Sequence, residues 1–488
     1  MKSTVRPELV EGQYAMQGIA VQALAGAGRE ITFGRRGDRI RQSLDSARSS
    51  SLRQSDTTTT PDDGQPQARR GLFYGWWIVL AGGIGMSISA GITFHGFGNF
   101  VIPLSNEFGW SRTTISTVVA IGKLQSGVLG PVEGWAVDRF GPRRLMFIGI
   151  PLLGLGYAAF SRIDSLAAFY VVYLLMITIG TSLGMGTPMI AAVANWFRRR
   201  RGLAFGLMWS GVGLGGLFIP LLGWMISEYG WRDTALYIGI GILILGIPIS
   251  SVMRHRPEQY GYLPDGEKPR TSLAGKGVVS VPDADLSQDF TAREALRTST
   301  FWFFSLSIAA RMVSSGGLAL HLIPYFDGLG ASPVGAAALA GSVGLMSVPG
   351  RFGLGLLSDY VNARYLMASC LAVIAVSFVF MSQATTIVGV VPALLVYAVA
   401  QGGVAVIPQT ILADYFGRRA YATIQGLRGS IQIVGVIAGP ILAGYVFDKT
   451  QSYELAFVIF AVAATVSMVL MLMARPPTRR ILSARPAL

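Results

Sequence analysis

Residues 134–144 read GWAVDRFGPRR, and this short stretch between two apolar segments decides how the chain is organised. Gly134 lets two helices approach closely, and Asp138 can cap a helix N-terminus or meet an arginine. A shortened copy, Gly355-x-x-x-Asp359, recurs about 220 residues later, also after an apolar segment. The stretch therefore marks a polar turn between two buried helices that occurs once in each half of the chain.

The composition around this turn is that of a membrane protein. The chain has 488 residues, 51% of them hydrophobic and only 14% charged, with a mean hydropathy of +0.50. Cys370 is the single cysteine, and His95, His255 and His321 are the three histidines. One thiol and three imidazoles offer little for a disulfide framework or a metal site, so we expect no metal and no cofactor.

The apolar segments have the length of membrane-spanning helices. A bilayer core of about 30 Å requires about 20 apolar residues in a helix, because lipid cannot satisfy backbone polar groups. Twelve stretches qualify, near 74–101, 113–137, 145–161, 166–194, 203–226, 233–253, 300–324, 334–357, 366–383, 387–412, 423–446 and 454–474.

The basic residues give the orientation. Lysine and arginine cluster in alternate loops, and the loops on the other side carry only Arg112, Arg162, Arg232 and Lys449. Cationic loops resist translocation, so we expect both termini to be cytoplasmic in a cell (inner or plasma) membrane. Loop charge of this kind explains the net charge of +14 better than a nucleic-acid partner does.

The two halves repeat each other. At an offset of about 220 residues, matching pairs are Pro103 and Pro324, Gly109 and Gly330, Pro188 and Pro408, Gly206 and Gly426, and Pro220 and Pro440. We predict an all-α membrane protein with two pseudo-symmetric six-helix bundles. The predicted order is a disordered cytoplasmic tail at 1–70, an N-terminal bundle at 71–253, a cytoplasmic linker at 254–298, a C-terminal bundle at 299–475 and a tail at 476–488.

The turn resembles the loop signature of the major facilitator superfamily. This resemblance implies the same twelve-helix fold, and a latch at the loop that favours the outward-open state. The positions that carry it are Gly134, Asp138, Arg139, Gly141, Arg143 and Arg144, with Gly355 and Asp359 in the second half.

Further pieces resemble the monocarboxylate-porter and oxalate/formate-exchanger types within that superfamily. They are EFGWSR at 107–112, the NWF and RRGLA segments within 195–204, RPE and PDG within 256–266, and HLIP at 321–324. The resemblance covers roughly residues 72–475. The resemblance implies transport of a small carboxylate.

Charged residues within the spans lead to the same expectation. An ionisable group at bilayer depth costs about 2.5–3.5 kcal/mol, so it usually lines an aqueous pathway. The cations Lys123, Arg311, Arg351 and Arg428 outnumber the acid Glu133. We expect an electropositive cavity that accepts an anion held by a guanidinium. For Arg311 and Arg428, a snorkelling or ion-pair role is the favoured interpretation.

Arg351 is the leading candidate for the substrate ligand. Gly344 and Gly355 share its helical face, as expected of a closely packed interior stripe. In monocarboxylate porters an arginine at the matching site is held to bind the substrate carboxylate. Those relatives often place an aspartate four residues earlier, where this chain has Ser347, and that difference puts their proton-coupling scheme in doubt here.

Four further residues are candidates for substrate binding, each with a structural alternative. His95 falls near the sequence position at which some relatives carry a lysine linked to substrate binding, and a histidine can titrate near neutral pH. The structural alternative is a hydrogen bond from His95 to a neighbouring helix. Lys123 is either a second anion contact or the partner of an acid. Asn99 can supply a neutral hydrogen bond, and His321 is more readily explained as a structural residue.

The predicted function is secondary active transport of a small organic anion, a monocarboxylate, by alternating access with a proton as the coupled ion. Carboxylate exchange is the main alternative. Drug efflux is less favoured, because Pro220 follows Ile219 where drug antiporters have Gly-Pro. A membrane sensor that does not transport is a further alternative, and no enzymatic motif is found. A monomer is compatible with this scheme.

Overall fold

The computed structural model describes residues 72–266 and 289–477. Within them all regular structure is helical, and twelve long helices follow one another. The helices, numbered in chain order, are α1 Tyr74–Phe108, α2 Arg112–Phe140, α3 Pro142–Phe160, α4 Leu166–Trp196, α5 201–229, α6 231–252, α7 Ser299–Gly328, α8 Pro333–Leu357, α9 Ala363–Gln383, α10 Ile387–Phe416, α11 Tyr421–Thr450 and α12 Glu454–Met473. The predicted tails at 1–70 and 476–488 and the middle of the linker lie wholly or mostly outside the described residues.

The twelve predicted helices are confirmed. Ten segments of the described chain are long and apolar enough to cross a membrane, and one of them, Arg201–Val252, contains both α5 and α6. These two helices are separated at Gly230, whose φ of 75° is not helical. α8 is a further helix of 25 residues. Several helices extend about one turn beyond the predicted apolar segment, because the polar residues at their ends remain helical.

The junctions after α1 and α7 show the internal repeat in the backbone. Gly109 has a φ of 69° and Gly330 a φ of 84°, a left-handed conformation that glycine adopts without steric cost. Two residues later, Ser111 and Ser332 each accept a hydrogen bond from a backbone N–H at the start of the next helix, at 3.0 Å and 3.1 Å. The same residue types therefore end one helix and begin the next in both halves.

Buried apolar side chains pack together in both halves. In the first half, Phe97, Phe100 and Phe160 are buried and pack ring against ring. In the second, Phe378 and Phe460 do the same. Many other large apolar side chains are exposed, as expected of a surface whose solvent is lipid rather than water.

The halves meet at one end of the bundle. This end carries the junctions after α2, α4, α8 and α10, where most arginines of the membrane region lie in or beside the loops. We call it the basic end, and the other the opposite end. On α2, a Cβ added at Gly134 would overlap the carbonyl of Ala422 at the start of α11. On α5, a Cβ at Gly206 would lie 2.6 Å from the Arg351 carbonyl oxygen of α8. Glycine at these positions therefore permits the close contact between halves.

Toward the opposite end the halves separate. A Cβ added at Gly341 or Gly344, both on α8, would meet no atom within 4 Å. The side chains of His95 on α1 and Lys123 on α2 are exposed. The close contacts between the halves thus lie toward the basic end, and from their absence at Gly341 and Gly344 we infer a cleft that opens at the opposite end.

Candidate functional site

His95 lies where the first helix is irregular. α1 changes to a π-helical turn at Ala90–His95 and then to a 3-10 turn at Gly96–Phe100. A Cβ added at Gly91 would lie 2.6 Å from the carbonyl oxygen of Gly215, which opens a matching 3-10 turn in α5. Such interruptions of a helix are frequent at functional sites, since they redirect side chains.

Arg351 lies at the floor of the cleft, where α8 contacts α5. Its Nη1 donates a hydrogen bond of 2.9 Å to the carbonyl oxygen of Trp209 in the other half. Its Nε is shielded and makes no hydrogen bond within the described part of the chain. The side chain is half-buried, and an added Cβ at Gly213 would come within 3.2 Å of Nη1. The guanidinium therefore retains donors that no described protein group satisfies.

Three predicted ligands are brought together. The imidazole of His95 lies close enough to the guanidinium of Arg351 and the ammonium of Lys123 to interact with both electrostatically. None of the three forms an ion pair with a described carboxylate. Ion pairs found elsewhere in the described chain include Arg201 with Asp414, Arg232 with Glu107, and Arg418 with Glu258. The cleft floor is therefore positively charged.

The other two candidates are engaged in structural contacts. Asn99 donates a hydrogen bond of 3.1 Å to the Ile219 carbonyl oxygen and so joins α1 to α5. His321 donates from Nε2 to the Pro440 carbonyl oxygen at 3.1 Å, and its Nδ1 lies 3.1 Å from the Tyr453 hydroxyl. With both ring nitrogens bonded, His321 fits the structural alternative.

Glu133 is the acid of the second helix and is buried beside the glycine of the turn. It leaves 8% of its surface exposed, and its carboxyl contacts the Ser182 hydroxyl on α4. Glu133 does not form a salt bridge with Lys123. The acid is thus held within the first half rather than across the cleft.

Asp138 caps a helix of the other half. Its carboxylate accepts hydrogen bonds from the backbone N–H of Ala422 at 3.1 Å and of Thr423 at 2.8 Å, and from the Thr423 hydroxyl at 2.6 Å. These groups open α11, where the helix dipole favours a negative charge. The guanidinium of Arg256 is also close enough to attract it. Asp138 therefore holds α2 and α11 together at the basic end.

Asp359 makes the equivalent contact in the second half. Its carboxylate accepts hydrogen bonds of 2.6 Å and 2.9 Å from the backbone N–H groups of Gly202 and Leu203, which open α5. Burial raises the pKa of this carboxyl, and the two backbone hydrogen bonds oppose that rise. Gly355, one turn earlier, lies against Gly202. The repeated turn thus forms two pseudo-symmetric contacts between the halves.

The basic residues of the turn contact aromatic rings instead. Arg139 lies over the Trp135 ring at 5.7 Å, and Arg143 lies over Phe147 at 5.8 Å. Both arginines are exposed, as is Arg144. They lie at the surface of the basic end and do not hold the two halves together.

Gly141 gives the turn its shape. Its φ of 84° is not helical, so α2 ends here and α3 begins at the next residue. An added Cβ at Gly141 would lie 3.3 Å from the ring of His255. Burial lowers the pKa of His255 to about 4, and neighbouring Arg256 adds to the shift. The turn therefore packs against a neutral histidine at the beginning of the linker.

The linker adds contacts that the sequence did not reveal. Asp265 accepts hydrogen bonds from backbone N–H groups of the loop before α5, at 198–199. Asp289 accepts them from the loop before α11, at 418–419. Arg418 donates to the Asn195 carbonyl oxygen at 2.8 Å and pairs with Glu258 at 3.0 Å. The PDG and RPE pieces of the subfamily pattern contain Asp265 and Glu258, and this was the one signal for their role.

Comparison with known proteins gives the family. A sequence profile described as the Major Facilitator Superfamily matches residues 83–432 and 391–487. Monocarboxylate transporter 13 of Bos taurus is 27% identical over 398 residues, covering 79% of this chain and 86% of its own. The oxalate:formate antiporter of Oxalobacter formigenes is 29% identical over 259 residues, covering 52% of this chain and 56% of its own.

Solved structures have the same fold. The proton:xylose symporter XylE, at 15% identity, superposes with a TM-score of 0.63 over 82% of this chain and 95% of its own. FucP in its outward conformation, at 14% identity, also gives 0.63, over 82% of this chain and 99% of its own. With the profile covering more than half of the sequence and the repeated turn at the contact between two six-helix halves, the chain belongs to the major facilitator superfamily.

Proposed function

We propose that this protein is a secondary transporter of a small carboxylate, with Arg351 as the principal ligand of the substrate. The observation that carries the proposal is the guanidinium at the cleft floor, which lacks a described carboxylate partner. A carboxylate can accept two parallel hydrogen bonds from a guanidinium, which gives both charge compensation and orientation. His95 and Lys123 add positive or neutral donors beside it.

The relatives support a carboxylate as the class of substrate. One is named a monocarboxylate transporter and another an oxalate:formate antiporter. At 27% and 29% identity, these relatives support the class of substrate.

The position of Arg351 also suggests how binding is linked to alternating access. Its side chain bonds Trp209, and its backbone carbonyl packs on Gly206, so the ligand is part of the α5–α8 contact. We propose that the basic end faces the cytoplasm and that the cleft opens outward. An anion that takes the guanidinium away from Trp209 weakens this contact and so favours opening of the basic end.

Uptake into proteoliposomes tests the role of Arg351. We expect Arg351→Lys to lose most uptake of radiolabelled lactate or oxalate, because the ammonium cannot make the bidentate contact. Arg162→Lys, at an exposed arginine of the opposite end, is the matched control and is expected to retain uptake. Uptake by correctly folded Arg351→Lys at the wild-type rate would rule out this assignment.

Proton symport is the proposed coupling, and carboxylate exchange is the second candidate. Exchange is favoured by the antiporter relative and by Ser347, which occupies the place of the aspartate found in proton-coupled relatives. An imposed pH gradient separates the two. Symport predicts uptake into empty vesicles that increases with an inward proton gradient, whereas exchange predicts uptake only into vesicles preloaded with carboxylate.

A further inference from the structure

α7 buries a second guanidinium that has no carboxylate partner among the described residues. Arg311 leaves 4% of its surface exposed. Its Nη1 lies 3.4 Å from Oε1 of Gln401 on α10, at the long limit for a hydrogen bond, and its Nη2 lies 3.8 Å from the Met312 sulfur. Its Nε is shielded and has no hydrogen-bond partner among the described residues. Most of the five donors of this group are therefore poorly satisfied.

A like charge lies nearby. Arg428 on α11 leaves 6% of its surface exposed and is close enough to Arg311 for the two guanidiniums to repel each other. Its ring contact is with Phe304, at 5.8 Å. Across residues 72–266 and 289–477, neither arginine forms an ion pair with a carboxylate. Buried charges are costly unless they are paired, so this arrangement calls for an anion that is not part of the described chain.

The groups around Arg311 can bind such an anion. Ser315 and Gln401 hydrogen-bond each other at 3.2 Å. The phenol of Tyr397 is close enough to Arg311 and Ser315 to interact with both. We call Arg311, Ser315, Tyr397 and Gln401 the Arg311 cluster. It combines a guanidinium fork with hydroxyl and amide donors, which together suit the two oxygens of a carboxylate. Gln401 is half-buried, so the cluster is not fully closed.

The Arg311 cluster lies at the same level of the bundle as the cleft floor. Gly402, the next residue after Gln401, packs so closely on α8 that an added Cβ would lie 2.7 Å from the backbone nitrogen of Arg351. α10 therefore contacts the guanidinium of Arg311 on α7 through Gln401 and the backbone of Arg351 on α8 through Gly402. A carboxylate held at Arg351 has a second cationic position within the same half.

We propose that the Arg311 cluster is a second carboxylate-binding position, used by the transported anion in addition to Arg351. This inference rests on the proposed function, since the ligand is the same class of substrate. It replaces the snorkelling or ion-pair role that the sequence favoured for Arg311, because the side chain is buried and forms no ion pair with a described acid.

Gln401→Glu is the sharpest test, because it supplies the missing anion from the protein itself. The new carboxylate would lie against Arg311 and compete with substrate. We expect the purified variant to melt at a higher temperature than wild type without added anion. We also expect it to bind sodium oxalate and sodium lactate at least about thirtyfold more weakly in calorimetric titrations.

Arg311→Gln tests the same position by removing the charge. We expect similar loss of oxalate and lactate binding, together with an equal or higher melting temperature, because a buried cation without a partner is itself destabilising. Met312→Leu is the matched control, since it changes the neighbour of Nη2 without changing polarity, and it is expected to bind like wild type. A lower melting temperature and unchanged affinity in Arg311→Gln would show a structural role and overturn the proposal.

The outcomes distinguish the two proposals. If Arg351→Lys loses binding but Gln401→Glu and Arg311→Gln keep it, the second position is wrong and the proposed function stands. If the Arg311 cluster variants lose binding and Arg351→Lys keeps it, the second position stands and the role of Arg351 is wrong. If wild type binds no carboxylate, both are wrong.

Discussion

The contact between Asp138 and the start of α11 predicts how strongly the repeated turn holds the basic end closed. In Asp138→Asn the side chain keeps one acceptor oxygen but loses its charge. The carboxylate of Asp138 now accepts two backbone hydrogen bonds and one from the Thr423 hydroxyl. Hydrogen bonds to a charged group contribute about 1.5–3 kcal/mol and neutral ones about 0.5–1.5 kcal/mol. The helix dipole adds about 0.3–1 kcal/mol.

We therefore expect the substitution to destabilise the state closed at the basic end by about 2 kcal/mol, which changes the ratio of the two states about thirtyfold. Spin labels on Asp164→Cys and Asp448→Cys, both exposed near the opposite end, would report the change by double electron–electron resonance. The native Cys370 is buried, so the introduced thiols should label preferentially. In wild type the long distance of the open cleft should dominate.

In Asp138→Asn a population with a shorter distance across the opposite end should appear, because closing there accompanies opening at the basic end. Asp233→Asn, at an exposed aspartate in the first turn of α6, is the control for loss of a negative charge. A distance distribution in Asp138→Asn that matches both wild type and Asp233→Asn would refute the assignment of this contact as a latch.

Two other predictions concern the basic end. Asp359→Asn should shift the spin-label distances in the same direction as Asp138→Asn but by less. The reason is that Asp359 accepts no hydrogen bond from a hydroxyl, and the nearby Asp414 and Asp265 repel its charge. A larger effect than that of Asp138→Asn would contradict this ranking. Burial lowers the pKa of His255 to about 4, below the usual 6.5. The stability that His255 contributes as a neutral group is therefore present above pH 6.5 and is lost as the pH falls through 4. We expect the melting temperature of the wild type to fall over this pH range, and that of His255→Asn to fall less. Equal pH profiles of the melting temperature in wild type and His255→Asn would show that another group is responsible.

Much of the fold could be predicted because the membrane limits the choices. Lipid cannot accept backbone hydrogen bonds, so each long apolar segment becomes a helix, and the spacing of such segments gives their number. The repeat followed from residue types that both halves need for the same turn. Gly109 and Gly330 adopt the same left-handed conformation, and Asp138 and Asp359 cap equivalent helices.

The site could be predicted only in part, because a sequence shows that a charge lies within a helix but not what faces it. Arg351, His95 and Lys123 are near one another, as expected of a common pathway. The sequence could not distinguish Arg311, which has no described acid beside it, from His321, whose two nitrogens are both bonded. That difference depends on which helix faces which.

By itself, then, the sequence determined the helices, the duplication and the polar turn, because these depend on local composition and on the hydrogen-bonding demand of each segment. Tertiary structure alone decided which of the predicted ligands are already held by protein groups, which acids cap the helices of the other half, and which end of the bundle is closed. The physical reason is that an electrostatic contact depends on the distance between segments that are far apart in the chain. Those distances are fixed only when the helices pack closely at Gly134, Gly206 and Gly355.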